Sequence, residues 1–221
     1  RQNPPFNLRY ISTTHILDVN KKKVKIINNP TSIRNISEKF YSVKYEKFMP
    51  STIFTQNINE IKKFHNKHKK IIIKPVHSFG GNDIHLLSKF NVKLIKKIIK
   101  KHDYVMCQKF LPKISKGDKR VFILNGKIVG AISRIPKKGS FLSNLSKGGK
   151  AINTNLTLSE KFISQKIAKD LKNKNIFFAG IDFIDQKLNG DINVTSPTGL
   201  KTLYDLSKIN LAKKFWKELK A

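Results

Sequence analysis

The sequence predicts an α+β fold, in which helices mix with antiparallel hairpins and no βαβ unit repeats. Two observations indicate this class. Asn125-Gly126 is a strong two-residue hairpin signal between two apolar runs, and a second strand pair follows near the end of the chain. Helical periodicity separates the strands, because Leu94, Ile95 and Ile98 recur on one face of an amphipathic segment.

The first half of the chain is predicted to combine helices with short strands. Asn7 and Asn57 are placed to cap helices, because asparagine accepts hydrogen bonds from the free N–H groups of a first turn. In chain order we predict a helix over 8–17, a strand over 24–27, a helix from 31 or 32 to 39, a strand over 52–55, a helix over 58–68, a strand over 71–75 that ends at its proline, a strand near 84–87 and a helix opened by residue 91.

The second half is predicted to contain both hairpins. Its elements are strands over 104–110, 120–124 and 128–135, a mobile loop over 137–155 that is rich in glycine and serine, a helix capped by Ser159 and ending near 172, strands over 177–184 and 192–194, and a lysine-rich final helix. The turn of the second hairpin is predicted at Asn189-Gly190.

The composition indicates a globular protein of the cytoplasm. Of the 221 residues, 39% are hydrophobic and 27% are charged, which is ordinary for a soluble domain. No apolar run approaches the roughly 20 residues of a membrane span, so we expect no membrane partner. The single cysteine, Cys107, excludes an internal disulfide and fits a reducing compartment.

The formal net charge of +31 raises the question of nucleic acid binding. Only five of the 45 basic residues are arginine, whereas proteins that read nucleic acids use arginine to bind phosphate and guanine through two hydrogen bonds. The lysines are also spread along the whole chain. We therefore do not expect a nucleic acid partner, and a basic nucleic-acid-binding protein is kept as a distant alternative.

Two patterns are typical of a nucleotide site. Gly80 and Gly81 would let backbone N–H groups approach phosphate oxygens, and Lys74 would present an ammonium group from the end of a strand. Asp182, Asp191 and Asn193 would place oxygen ligands for Mg²⁺ on one face of the second hairpin. Each pattern alone is also common as a simple turn or as solvated strand residues, and both interpretations stay open at this point.

Five segments carry a more specific pattern. They are NPTSIR at 29–34 with EK at 38–39, IKP at 73–75 with GG at 80–81, QKFLP at 108–112 with GDKR at 117–120, SRIP at 133–136 with Asn144 and GG at 148–149, and GID at 180–182 with INVTSPTG at 192–199. In this order they resemble bacterial glutathione synthetases, which belong to the ATP-grasp superfamily. The resemblance covers nearly the whole chain, and its last segment is the most specific.

The resemblance implies an ATP-grasp fold, in which two α+β subdomains clasp a nucleotide, with the remnant of a preceding α/β domain. Residues 1–46 would be the end of that N-terminal domain and a connector. Residues 47–221 would be the ATP-grasp domain, with a small subdomain over 47–112 and a larger one with the metal site over 113–221. Residues 1–6 resemble the end of the family's first domain, so we expect an N-terminal portion to be absent.

The resemblance also implies the reaction. ATP would phosphorylate the cysteinyl carboxylate of γ-glutamylcysteine, and the amine of glycine would attack the acyl phosphate to leave glutathione, ADP and phosphate. The implied cofactor is Mg²⁺, or Mn²⁺ in its place, and the family's usual assembly suggests a homo-oligomer. The alternatives within the superfamily are a ligase of another carboxylate–amine pair and a degenerate homologue.

Site roles carry over by position. The residues assigned to ATP are Lys39, Lys74, Gly80, Gly81, Gln108, Lys109, Phe110, Leu111 and Asp118. Those assigned to catalysis are Arg120, Arg134 and Asn144. Those assigned to the substrates are Arg120, Ser196, Pro197, Thr198 and Gly199. The metal ligands would be Asp182, Asp191 and Asn193. Lys39 and Lys74 would hold phosphates, the backbone of 109–111 would read the adenine edge, and Asp118 would bind the ribose.

The sequence departs from the family pattern at four places. His77-Ser78 stands where Asp-Gly is usual, and Asp191 stands where glutamate is usual. Leu142 replaces a common arginine in the loop, and residues 201–203 lack an acidic residue that the family usually has. The expected catalytic set is otherwise complete.

Overall fold

The computed structural model describes residues 5–220 and confirms the α+β class. The helices α1 to α7 have the bounds Leu8–Asn20, Pro30–Asn35, Ile58–His68, Val92–His102, Leu158–Asn173, Leu200–Ser207 and Leu211–Lys220. The strands β1 to β9 have the bounds Thr52–Thr55, Ile71–Pro75, His85–Leu87, Val105–Lys109, Asp118–Leu124, Lys127–Ile135, Lys150–Asn153, Phe178–Ile184 and Lys187–Asn193. Short 3₁₀ helices occupy Phe40–Phe48, Pro112–Lys116 and Leu145–Lys147.

The strands form two antiparallel sheets. The first has the order β1-β4-β2-β3 and the second the order β7-β6-β5-β8-β9. Residues 1–4 and 221, the outer ends of the predicted domains, lie outside the described residues. The division into 1–46, 47–112 and 113–221 stays a prediction.

The first sheet buries one face beneath α3 and α4. Ile61 and Phe64 of α3 and Ile95 of α4 share a core cluster with Ile73 of β2 and Cys107 of β4. Successive residues of a strand point to opposite faces. Lys74 on β2 therefore points away from this core, on the side where the functional residues lie.

The second sheet is covered on both faces along part of its length. Val121 and Ile123 of β5 join a core cluster with Ile167 and Leu171 of α5. On the opposite face, Phe122 belongs to a cluster that includes residues of α6 and α7. Because residues alternate along β5, Arg120 lies on the same face as Phe122, beyond the cover of these two helices.

The predicted strand over 24–27 is wrong. Its neighbour Asn28 accounts for the difference, because its side chain bonds to backbone groups at the start of β8 and just beyond the end of β9, in place of a ladder. Asn28 Nδ2 donates to the carbonyl oxygens of Phe178 and Val194, both at 2.7 Å. Asn28 Oδ1 accepts from the N–H groups of Phe177 at 2.9 Å and Phe178 at 2.8 Å. The segment is anchored by one side chain and needs no strand pairing.

Two helix predictions need correction at their ends. Helix α2 ends at Asn35 and does not reach 39, because Ile36 adopts a non-helical φ of −106° and ψ of 85°. The cap of α5 is Thr157 and not Ser159. Thr157 forms a capping box with Glu160, whose carboxylate accepts from the Thr157 N–H at 2.8 Å.

The region predicted as a mobile loop over 137–155 contains ordered structure. Strand β7 pairs with β6 in the register Ser133 with Ile152, and a 3₁₀ turn precedes it. The predicted strand near the C-terminus is also longer than 192–194, since β9 starts at Lys187.

The turn of the second hairpin lies at Asp185-Gln186 and not at Asn189-Gly190. Both turn residues have positive φ, 50° and 61°, which is the conformation of a two-residue hairpin loop. Gly190 lies inside β9 with a φ of +81°, and a Cβ there would lie 2.2 Å from Met106 Cε of the first sheet. The glycine is needed for the close approach of the two sheets.

Candidate active site

A cleft between the two sheets collects the charged residues of the site. Lys74, at the end of β2, reaches across to the second sheet. Its Nζ donates to the carbonyl oxygen of Asn189 at 2.9 Å and lies 3.4 Å from Asp191 Oδ2. The Lys74 side chain is buried, and burial lowers the pKa of the ammonium although Asp191 opposes this.

Lys39 contacts the same carboxylate from the connector, the segment of residues 36–51 between α2 and β1. Its Nζ lies 3.4 Å from Asp191 Oδ1 and donates to the carbonyl oxygen of Ser78 at 2.9 Å. Burial opposes ionisation of the Asp191 carboxyl, but the ammonium groups of Lys74 and Lys39 overcome it and lower its pKa. Asp191 is therefore held as a carboxylate between two lysines.

Two buried arginines surround the second carboxylate. Arg120 on β5 donates through Nε and Nη2 to Asp182, with Nη2 to Oδ2 at 2.7 Å. Arg134 on β6 donates from Nη2 to the same Oδ2 at 2.9 Å. Burial opposes ionisation of Asp182, but Arg120 and Arg134 outweigh it and hold its pKa well below the usual range.

Arg134 also binds Asp118, which the sequence assigns to ribose. Arg134 Nε donates to Oδ1 at 2.8 Å and Nη2 donates to Oδ2 at 2.6 Å. Both oxygens of Asp118 thus have a partner, and each retains a lone pair for a second donor. Its assignment to ribose stays a prediction.

The cleft comprises a narrow space between the sheets and a larger cavity beside it. The narrow space, of about 130 Å³, is called the inner cleft. The larger space, of about 610 Å³, is called the outer cavity. Arg120, Arg134, Asn144 and Asn193 line both. A group bound in one space therefore lies next to a group bound in the other.

The inner cleft brings together every residue that the sequence assigns to ATP, to catalysis and to metal. Those assigned to ATP are Lys39, Lys74, Gly80, Gly81, Gln108, Lys109, Phe110, Leu111 and Asp118. The outer cavity is lined by three of the assigned substrate residues of the 196–199 turn, namely Ser196, Thr198 and Gly199. Pro197 is separate, because it lines a different groove with Phe178 and Phe215.

Two loops close over the inner cleft. The glycine loop between β2 and β3 meets the loop after β6, where Lys147 Nζ donates to Asn82 Oδ1 at 2.9 Å. Gly81 has a φ of +77°, and a Cβ on it would lie 2.7 Å from Asn144 Oδ1. The second glycine is therefore required by the contact as well as by the backbone.

Several lining residues were missed by the sequence reasoning. Asn189 accepts from Lys74 through both its carbonyl and its side-chain oxygen, at 2.9 and 3.1 Å, but its Asn-Gly pair indicated a turn. Ile72 and Ile184 supply apolar walls. Ile72 could have been found, because it lies two residues before Lys74 on the same face of β2.

The donors available suit a hard divalent cation. Asp182, Asp191 and Asn193 all line the inner cleft, and Asn193 pairs with Gly180 across β8 and β9. Asn193 Oδ1 accepts from the Ser196 N–H at 3.1 Å and keeps a second lone pair. Within 5–220, no three His, Cys, Asp or Glu side chains form a metal-binding group. Two carboxylates fit Mg²⁺, which completes its shell with water and phosphate oxygens.

Two protein-family descriptions together match nearly the whole chain. The family described as prokaryotic glutathione synthetase, ATP-grasp domain, matches residues 38–208, and its N-terminal domain matches residues 1–34. A glutathione synthetase of Prochlorococcus marinus subsp. pastoris is 39% identical over 224 residues, covering 99% of this chain and 73% of the relative.

Solved structures agree on the fold at low sequence identity. The D-cycloserine synthetase DcsG superposes with a TM-score of 0.71 at 10% identity, covering 96% of this chain and 80% of that one. A second structure is the ATP-grasp ligase PsnB complexed with a phosphomimetic variant of its minimal precursor, Mg and ADP. It superposes with a TM-score of 0.67 at 15% identity, covering 95% of this chain and 67% of that one. The predicted ATP-grasp fold is confirmed.

Proposed function

We propose a function from one premise: this chain belongs to the prokaryotic glutathione synthetase family. The protein is an ADP-forming ligase that joins γ-glutamylcysteine and glycine to glutathione. The family match over nearly the whole chain carries this conclusion. Relatives named glutathione synthetase do not favour another carboxylate–amine pair, a degenerate homologue or a nucleic-acid-binding protein.

In the first step, the cysteinyl carboxylate attacks the γ-phosphorus of ATP. A P–O bond to the carboxylate forms, and the bond to the ADP oxygen breaks. We assign Lys39, Lys74 and the backbone of Gly80 and Gly81 to the phosphates. This assignment is supported by the two ammonium groups, which lie near Asp191 in the inner cleft.

We assign the two buried arginines to stabilising the negative charge that develops on the transferring phosphoryl group. Arg120 and Arg134 line both the inner cleft and the outer cavity, where nucleotide and peptide would meet. Each guanidinium is fixed by carboxylates before the reaction, so little reorganisation is needed when charge develops. Asn144 lies at the same junction and would close the site above the glycine loop.

In the second step, the glycine amine attacks the acyl carbon. A C–N bond forms, the C–O bond to phosphate breaks, and the amine loses its proton. We assign Ser196, Thr198 and Gly199 to the substrate carboxylates. Gly199 precedes the first turn of α6 at the cavity wall, where backbone N–H groups favour an anion.

The enzyme uses Mg²⁺ with ATP. We propose that Asp182, Asp191 and Asn193 hold it and that Mn²⁺ can take its place, since both prefer oxygen ligands. When bound, the metal neutralises phosphate charge and so favours attack at the γ-phosphorus.

The remaining assignments are part of the same proposal. Among residues 5–220 no helix is long and apolar enough to cross a membrane. We place the protein in the cytoplasm, which the free and buried Cys107 supports.

We also propose that it assembles as a homo-oligomer, as the family does. Backbone contacts from 109–111 to adenine and a bond from Asp118 to ribose complete the nucleotide site.

The test is ADP release by the purified protein with Mg-ATP, γ-glutamylcysteine and glycine, omitting each component in turn. The proposal predicts that release requires all of them and that glutathione forms in equal amount. Binding of Mg-ATP without such release would contradict the assignment of these substrates.

A further inference from the structure

Glu38 belongs to none of the sets assigned above, yet it lines both the inner cleft and the outer cavity. Its side chain accepts a hydrogen bond through Oε1 from Thr195 Oγ1 at 2.7 Å. The same oxygen accepts a longer bond from the Thr195 N–H at 3.4 Å. Its main-chain oxygen accepts from the Ile192 N–H at 3.1 Å. Glu38 is therefore bound to β9 by its backbone and to the chain that leaves β9 by its carboxylate.

The chain neighbours of Glu38 and Thr195 are assigned to two different ligand groups, the phosphates of ATP and the substrate carboxylate. Lys39 follows Glu38 directly and contacts Ser78 of the glycine loop and Asp191. Thr195 directly precedes the 196–199 turn, three of whose residues line the outer cavity. Glu38 thus joins the residue assigned to phosphate with the turn assigned to the substrate carboxylate.

A second side chain, that of Asn193 on β9, also binds the 196–199 turn. Asn193 Oδ1 accepts from the Ser196 N–H at 3.1 Å, while Glu38 holds Thr195. Two adjacent backbone positions are thereby fixed by side chains from β9 and from the connector. Donors that bind a carboxylate must be placed within a fraction of an ångström, so such support affects affinity directly.

We propose that Glu38 is a positioning residue that sets the place of the 196–199 turn, through Thr195, for the carboxylate of γ-glutamylcysteine. This inference rests on the proposed function. Glu38→Gln retains an oxygen that accepts from Thr195 Oγ1, whereas Glu38→Ala does not. The role is to hold the turn and requires no proton transfer, so the conservative variant should restore it.

The experiment measures the dissociation constants of γ-glutamylcysteine and of Mg-ADP by titration calorimetry, which needs no turnover. The variants are Glu38→Ala, Glu38→Gln, Thr195→Val and the double variant Glu38→Ala with Thr195→Val. Glu46→Ala is the matched control, since Glu46 is an exposed carboxylate on the same connector. Thermal unfolding of each variant checks that it is folded.

We expect Glu38→Ala and Thr195→Val each to weaken peptide binding about 10-fold, as for loss of a bond to a charged group. Mg-ADP binding should stay within about two-fold, Glu38→Gln should recover most of the peptide affinity, and the double variant should be no weaker than either single one. Additive losses, an equal loss of nucleotide affinity, or no rescue by glutamine would overturn the inference. So would wild-type protein that fails to bind the peptide, whereas wild type that binds it but forms no glutathione refutes the proposed function alone.

Discussion

Arg120 and Asp182 lie directly opposite each other on β5 and β8, and the guanidinium donates two hydrogen bonds to the carboxylate. The pair joins a residue assigned to the phosphoryl group with one assigned to the metal. Lys74 and Asp191 repeat the arrangement between the two sheets. The cations and anions of the site therefore neutralise one another. Bound Mg-ATP would place its phosphate oxygens against these cations and its metal against these carboxylates, whose side chains are already in position.

Arg120→Lys should lower kcat by about 100-fold or more, the usual cost of losing one donor to a transition-state oxyanion. Lysine keeps the charge but loses the planar group that donates two bonds to Asp182. Steady-state kinetics with saturating substrates measure this. Unchanged kcat in a folded Arg120→Lys protein would remove Arg120 from the reaction.

Asp191→Asn should abolish the stabilisation of the protein by Mg-ATP. A ligand at 100 times its Kd stabilises by about 2.7 kcal/mol, which for a chain of this size is a rise in Tm of roughly 5–10 °C. Thermal unfolding with and without Mg-ATP measures the rise. Asp185→Asn is the control, because Asp185 lies in the hairpin turn and pairs with exposed Lys113 at 2.7 Å. An equal rise in both variants would contradict the metal assignment.

Gly81→Ala should lower kcat/KM for ATP about 10-fold more than Gly80→Ala. Both glycines have positive φ, 65° and 77°, so both variants carry a backbone strain of roughly 1–2 kcal/mol. A Cβ at Gly80 meets nothing within 4 Å, whereas one at Gly81 would displace Asn144. Steady-state kinetics of both variants separate the backbone strain, which they share, from the clash with Asn144, which only Gly81→Ala has. Equal losses of kcat/KM in the two variants would show that the contact between Gly81 and Asn144 has no role in closing the two loops over the inner cleft.

Asp170→Asn should destabilise the protein by about 1.5–3 kcal/mol at pH 7, the range for hydrogen bonds to a charged group. Burial opposes ionisation of the Asp170 carboxyl, but hydrogen bonds from Lys44, Tyr41 and Tyr45 outweigh it and lower its pKa. A lowered carboxyl pKa gives stability that is present above the unfolded value and is lost as pH falls through the folded value. Urea unfolding should therefore show the wild-type advantage shrinking below about pH 4.

The control for Asp170 is Asp205→Asn, which removes an exposed pair with Lys201. Exposed pairs contribute little, so its effect should be close to zero. A wild-type advantage at Asp170 that persists undiminished at low pH would contradict the ionic origin of the stabilisation.

Cys107 should be alkylated about 1,000-fold more slowly in the folded protein than in urea, because the thiolate is the reactive form. Burial in β4 raises the pKa of its thiol to about 12 from 9.0. Mass spectrometry after timed iodoacetamide treatment gives both rates. Rapid labelling of the folded protein would place Cys107 outside the core of the first sheet.

Much of the fold could be predicted because its signals are local. Asn7, Asn57 and Asn91 accept hydrogen bonds from the first turns of their helices, as their positions indicate. The hairpin at Asn125-Gly126 joins β5 and β6 as predicted. What failed depends on distant contacts. Nothing local shows that Asn28 bonds to β8, or that Gly190 accommodates Met106.

The candidate site shows the same division. Residue types and their resemblance to a family predicted the set that lines the inner cleft, including Lys39 from an element remote in sequence. The pairing of Asp118 with Arg134 could not be predicted, because it follows from the register of β5 and β6, which places them opposite each other. The contact of Glu38 with Thr195 could not be predicted from its motif, because the bond spans 157 positions.

The most direct measurement follows oxygen from γ-glutamylcysteine labelled with ¹⁸O in both oxygens of its cysteinyl carboxylate. Attack of that carboxylate on ATP, followed by displacement of phosphate by glycine, transfers one labelled oxygen to phosphate and leaves the other in the new amide. Mass spectrometry should therefore find one ¹⁸O in each product for every glutathione formed. Unlabelled phosphate, or hydrolysis of ATP without formation of glutathione, would contradict the assignment of this protein as a glutathione-forming ligase.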